Sequence, residues 1–114
     1  MRPKLKIWIE NEEGEQIIGE GLLRLLQAID ETGSLNQASD RLDMSYRTAW
    51  GKLEKIENRL GIELVIRKSG GGREGGSRLT KRGRELMSRY LQLRGNMEEK
   101  LKREFENIYD VDKI

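Results

Sequence analysis

A chain of 114 residues with 37% charged and only 5% aromatic residues has room for one domain, whose core must be mostly Leu and Ile. It contains no cysteine and no histidine, which removes disulfides, thiolate chemistry, the usual zinc ligands and the commonest general base. There is no apolar run of about 18 residues to span a membrane, and the start MRPKLKIWIENEEGE turns acidic too early for a secretory signal, so a cytoplasmic, non-enzymatic protein is expected.

The net charge of +2 is unevenly divided. Residues 1–33 hold four Lys/Arg against seven Asp/Glu, residues 34–84 hold twelve against six, and residues 85–114 hold six against seven. The positive charge is concentrated in the middle of the chain, as a polyanion-binding face requires. A solvated surface with chance clustering is the alternative.

In chain order, Lys4 to Glu10 alternates polar and apolar residues and reads as a half-buried strand. A polar turn, Asn11 to Glu15, leads to a second short strand at Gln16-Ile17-Ile18, which makes an N-terminal β-hairpin over 4–18. Alternation puts Trp8 on the face opposite Leu5, Ile7 and Ile9, available to a helix or a partner subunit. The first helix, 19–32, carries Leu22, Leu23, Leu25, Leu26 and Ile29 as a broad apolar face and reads as scaffold.

The segment 34–61 has the layout of a helix-turn-helix. Ser34 is placed to cap a short helix bearing Leu35, Ala38 and Leu42, and the apolar pattern breaks at Asp43-Met44. Ser45 caps a longer helix with Ala49, Leu53, Ile56 and Leu60 on one face, which Gly61 terminates. The second helix of such a motif enters the major groove by its N-terminal turns, here Tyr46, Arg47, Thr48 and Trp50. Arg47 points away from the apolar face, toward guanine O6 and N7 or toward a phosphate. Tyr46 and Thr48 are placed for phosphate or a thymine methyl. Ser45 caps where a phosphate would bind, Gln37 is placed for a backbone phosphate, and Ser34 is counted with them as a DNA contact. Trp50 is divided between packing beside the first helix and offering its indole N–H to DNA. Gly51 leaves room for close approach. Lys52, Lys55 and Arg59 read as long-range attraction or as partners of Glu54 and Glu57 on the same helix.

The segment 62–80 reads as a wing: a strand over Ile62–Arg67, a glycine-rich loop, and a return strand at Arg78-Leu79. Arg67, Lys68, Arg73 and Arg78 suit contacts with the DNA backbone or minor groove. Gly70, Gly72 and Gly75 match the dinucleotide fingerprint G-x-G-x-x-G, but that motif needs a helix opening from the loop inside a βαβ unit. No Lys-Ser/Thr pair follows Gly76, so a phosphate-binding Walker loop is excluded too. A nest of backbone N–H groups around Arg73 would serve a DNA phosphate equally well.

Thr80 caps a final helix over 81–109, with Leu86, Tyr90, Leu93, Met97, Leu101, Phe105 and Ile108 in a stripe of helical spacing. A stripe of about eight turns exceeds what so small a body covers, and pairing with a second copy is the expected use, with a fold back onto its own domain as the alternative. The fold class is therefore mainly α with small β: a winged helix-turn-helix with an N-terminal β-hairpin and a long C-terminal dimerisation helix.

The run Asp30 to Leu35, Ala38, Met44-Ser45-Tyr46-Arg47-Thr48-Ala49-Trp50, the glycine segment 70–76 and Arg78-Leu79-Thr80-Lys81-Arg82-Gly83 resemble the N-terminal DNA-binding domain of the ModE molybdate-responsive regulators. More loosely, Leu60 to Arg67 with Leu79-Thr80 and Gly83 is similar to the LysR-type winged helix. The resemblance implies a homodimeric transcription regulator bound to double-stranded DNA. It implies contacts from Ser45, Tyr46, Arg47, Trp50 and Arg73, with the N-terminal strand and the last helix contributing to the dimer. Full-length members of that family carry C-terminal domains for molybdate or tungstate. None follows within these 114 residues, so no cofactor is expected. A protein–protein adaptor and an oxyanion sensor lacking the usual domain are the alternative functions.

Overall fold

The computed structural model describes residues 1–67 and 76–109. The sequence expectations at Lys68 and Arg73, and the glycine nest, lie outside them. In order, the elements are β1 (Ile9–Glu10), β2 (Gln16–Ile18), α1 (Glu20–Thr32), α2 (Leu35–Arg41), α3 (Tyr46–Leu60), β3 (Val65–Arg67), β4 (Ser77–Leu79) and α4 (Lys81–Ile108).

The N-terminal hairpin is shorter than its alternation suggests. Only Ile9 and Glu10 pair, opposite Ile18 and Gln16 in antiparallel register. Their partner strand ends after three residues, where Gly19 leads into α1. Asn11 closes the connection by accepting the N–H groups of Glu13 and Glu15 on its side-chain oxygen, at 3.1 and 2.8 Å. Residues 4–8 keep the alternation without sheet partners: Leu5 and Ile7 are half-buried and Trp8 is 54% exposed. The Ile7 carbonyl is satisfied instead by the hydroxyl of Tyr90 on α4, at 2.7 Å.

The core forms where α1, the helix-turn-helix and the wing base converge. Leu23, Leu25, Leu26 and Ile29 of α1, Leu35 and Ala38 of α2, Ala49 and Leu53 of α3, and Leu64 and Val65 at the wing base are all buried. Left-handed glycines end two helices: Gly33 (φ 68°) donates to the Ile29 carbonyl, and Gly61 (φ 70°) to the Glu57 carbonyl. At the second end Ile62 also donates to Glu57, so the chain is still closing α3 where a strand over Ile62–Arg67 is expected. The strand begins only at Val65 and pairs antiparallel with β4, Val65 opposite Leu79 and Arg67 opposite Ser77.

α4 leaves from the wing base. Thr80 caps it by accepting the Gly83 N–H at 2.9 Å while donating to the Glu63 carbonyl at 2.7 Å. The helix has 28 residues, about 42 Å of rise. Leu86, Met87, Tyr90 and Leu91 pack on the core, and Arg84 pairs with Asp30 of α1 at 2.8 Å. Beyond Arg94, which pairs with Glu20 at 2.6 Å, the helix runs past the body beside residues 1–5.

Two residues expected on the dimer face thus belong to the chain's own packing. Tyr90 is 2% exposed and hydrogen-bonded to Ile7, and Leu86 packs against the core. Helical spacing defines the face they share with Leu93 and Met97, but the body covers the first part of that face itself. Leu93 and Met97 remain 40% and 39% exposed, Ile108 is also exposed, and Leu101 and Phe105 are half-buried.

Candidate nucleic-acid interface

The turn between α2 and α3 is held by the buried Ser39. Its backbone carbonyl accepts the N–H of Met44 at 3.0 Å, and its hydroxyl donates to the Asn36 carbonyl at 2.8 Å. Asp43 takes the left-handed conformation, φ 55°, which Asp tolerates better than most residues. α2 is capped by Ser34, which accepts the Gln37 N–H at 3.1 Å. Ser34 is half-buried, and Gln37 is exposed at the first turn.

α3 separates two faces. Ala49, Leu53 and Ile56 are buried, while Tyr46, Arg47, Thr48, Trp50, Gly51, Lys52 and Lys55 are exposed. Nothing lies within 4 Å of where a Cβ on Gly51 would be. Ser45 accepts the Thr48 N–H at 3.1 Å and donates its own hydroxyl proton to the Thr48 hydroxyl oxygen at 2.9 Å. The Thr48 hydroxyl therefore keeps its proton for a further acceptor. The cap is also the positive end of the helix dipole, where free N–H groups favour an anion.

Several basic residues are held in ion pairs. Arg24, Arg84 and Arg94 on the scaffold helices are paired with Glu20 or Asp30, and Arg41 with Glu31. Arg59 pairs with Glu15 at 3.3 Å and donates to the Gln16 carbonyl at 2.7 Å. Among the described residues, Arg47, Lys52, Lys55 and Arg78 make no ion pair, and all four are exposed.

One pairing expectation on this surface is corrected. Arg59 reaches the N-terminal hairpin, and Glu57 reaches the wing, instead of pairing within α3, because both side chains lie toward the core side of the helix. Arg67 is engaged by two residues of α3. It pairs with Glu57 at 3.1 Å, and its guanidinium carbon lies 5.3 Å from the centre of the Trp50 ring. Trp50 accordingly packs against the wing root and remains 38% exposed. Glu57 is the residue sequence reasoning missed. Its one signal was position, beside Ile56 at the rim of the apolar face.

The exposed Tyr46-Arg47-Trp50 surface and the wing root, with β4 bearing Arg78, belong to one helix-turn-helix body. The wing is tied back to α1 where Ser77 donates to the Gly33 carbonyl at 2.9 Å.

Known proteins match this body. The model of the bacterial regulatory helix-turn-helix proteins of the LysR family matches residues 21–84. The chain is 35% identical over 89 residues to the molybdenum transport protein ModE of Azotobacter vinelandii, covering 78% of this chain and 33% of that protein. It is 40% identical over 75 residues to the protein of the same name from Herbaspirillum seropedicae, covering 65% and 28%. The chain thus spans about a third of the length of the curated relatives it matches. In fold it is similar to the CbnR DBD–DNA complex, with TM-score 0.56 and 24% identity over 73% of this chain and 93% of that one. It is likewise similar to the BenM DBD/benA site 1 DNA complex, with TM-score 0.56 and 22% identity over 77% and 93%. With the helix-turn-helix, the wing strands and the family match in agreement, the chain belongs to the bacterial regulatory helix-turn-helix proteins of the LysR family.

Proposed function

We propose that this chain binds double-stranded DNA sequence-specifically as a homodimeric transcription regulator. α3 enters the major groove by its first two turns, and the wing lies along the backbone or minor groove. The observation that carries this reading is the outward row on α3. An arginine without an ion pair among the described residues stands between two exposed aromatics, at a helix N-terminus whose opposite face is buried. Two structural neighbours, the CbnR and BenM DNA-binding domains, are complexes with DNA, which supports the same partner.

In this reading Arg47 reads a base edge, Tyr46 and Thr48 meet phosphate or a thymine methyl, and Gln37 holds a backbone phosphate. Arg78 neutralises backbone charge from the wing. The exposed Leu93, Met97 and Ile108 on α4, with Leu101, Phe105 and the exposed Trp8, support pairing with a second copy. Two recognition helices then address half-sites one DNA turn apart, ~34 Å.

The test is enrichment of genomic fragments by the purified protein, with and without molybdate or tungstate, since the names of several relatives refer to molybdenum. A palindromic site enriched in both conditions is the expected result. Enrichment only with oxyanion assigns sensing to this chain. No enriched site removes the sequence-specific reading.

A further inference from the structure

The wing root and the recognition helix meet at three side chains, Glu57, Trp50 and Arg67. Glu57 lies two turns after Trp50 on α3, and only 11% of its side chain is exposed. One carboxylate oxygen accepts the backbone N–H groups of Leu64 and Val65, at 2.8 and 3.3 Å. The other accepts Arg67 at 3.1 Å. The guanidinium of Arg67 then lies against the indole of Trp50, at the 5.3 Å separation of a cation–π contact. The Nε of Arg67 is closed to solvent and has no hydrogen-bond partner among the described residues. Arg67 is thus held between a carboxylate and an aromatic face. Those two partners stand on the helix, and Arg67 itself stands on the wing.

We propose that Arg67 is a positioning residue for DNA recognition rather than a DNA contact. Clamped between Glu57 and Trp50, it fixes the wing strand against the recognition helix. It also orients the Trp50 indole as part of the base-reading surface. The inference rests on the DNA-binding reading above and adds the source of its specificity. A planar, forked cation is required, because a lysine offers neither the flat face for the indole nor the fixed donor geometry for the carboxylate. Removing the clamp lets wing and helix meet DNA independently. Discrimination between sites then falls, while attraction to phosphate persists.

Arg67→Lys and Arg67→Gln are compared with Arg67 in the full chain. The free protein is read by Trp50 emission in a Trp8→Phe background, so that Trp50 is the sole indole of the two in the sequence. DNA binding is measured with Trp8 retained, because Trp8 belongs to the pairing surface. It is read as the affinity ratio of selected site to random DNA, and as the salt dependence of random binding. The expected result is altered Trp50 emission without DNA in both variants and a ratio lowered roughly tenfold, with the salt slope unchanged. A slope reduced by about one unit with the ratio unchanged would make Arg67 a phosphate ligand and overturn the proposal. So would unaltered Trp50 emission in both variants. Should Arg67→Gln lose its helical circular dichroism, Arg67→Lys, which keeps the charge, decides alone. Absence of any selected site for the parent protein would sink the DNA reading. The emission of the free protein would still decide whether the clamp exists.

Discussion

The Tyr90 hydroxyl donates to the Ile7 carbonyl at 2.7 Å, tying the middle of the last helix to the extended N-terminal segment. That bond explains why residues before β1 follow α4 without belonging to a sheet. Burial raises the Tyr90 pKa above its usual value near 10, the Glu20 carboxylate adds to the rise, and Arg94 opposes it. In the unfolded chain the phenol ionises first, so the folded state holds more protons above that pH, and stability falls as pH rises. The expectation is a stability flat through neutral pH and declining above about pH 10. Tyr90→Phe should cost about 1 kcal/mol at neutral pH by stranding the Ile7 carbonyl, and should reduce the alkaline decline. Urea denaturation across pH measures both. An unchanged alkaline limb in the variant would assign that limb to other groups.

Gly83 is required by a close approach. A Cβ there would stand 2.1 Å from the Leu64 carbonyl oxygen. Because that oxygen accepts the Thr80 N–H, it has little freedom to retreat. Gly83→Ala is expected to cost about 3 kcal/mol. Chemical denaturation checks this, and a parent-like midpoint would show that α4 can shift along the wing base at little cost.

Gly51 presents the opposite case. A Cβ there meets nothing, so Gly51→Ala should stabilise α3 by about 0.5–1 kcal/mol. If DNA approaches the helix here, the same variant should bind its selected site at least roughly tenfold more weakly, about 1.4 kcal/mol. Thermal melting paired with a binding titration separates the two effects. A gain in stability with full affinity would place the DNA surface elsewhere on α3.

The exposed part of the α4 stripe makes a separate prediction. Leu93→Glu with Met97→Glu should halve the mass seen in sedimentation equilibrium and leave the helical signal of the body intact, because both residues are exposed in the single chain. A parent protein that is already monomeric at micromolar concentration would remove the dimer from the account.

Much of the helical plan was legible because its signals are local. Ser34, Ser45 and Thr80 cap the three helices they precede, and Gly33 and Gly61 end the two they follow. The strands expected at Lys4–Glu10 and Ile62–Arg67 are longer than those that form, Ile9–Glu10 and Val65–Arg67. Alternation reports which side chains are covered, and an extended segment can show it with no ladder partner. The partners of charged residues were not legible for a related reason. Spacing placed Glu57 within reach of Lys and Arg on its own helix, whereas folding brings Arg67 and two wing-base N–H groups to it. Tyr90 illustrates the same limit. Periodicity identifies its face of α4, but only the folded chain shows Ile7 covering it.

The central claim is that the first turns of α3 read DNA sequence, and Arg47 tests it most directly. Genomic fragments would be selected in parallel by the parent protein and by Arg47→Ala, whose side chain is exposed and makes no ion pair among the described residues. The account predicts a palindromic site for the parent and loss of that enrichment in the variant, with salt-dependent binding to random DNA retained. The same site enriched equally by the variant would contradict it.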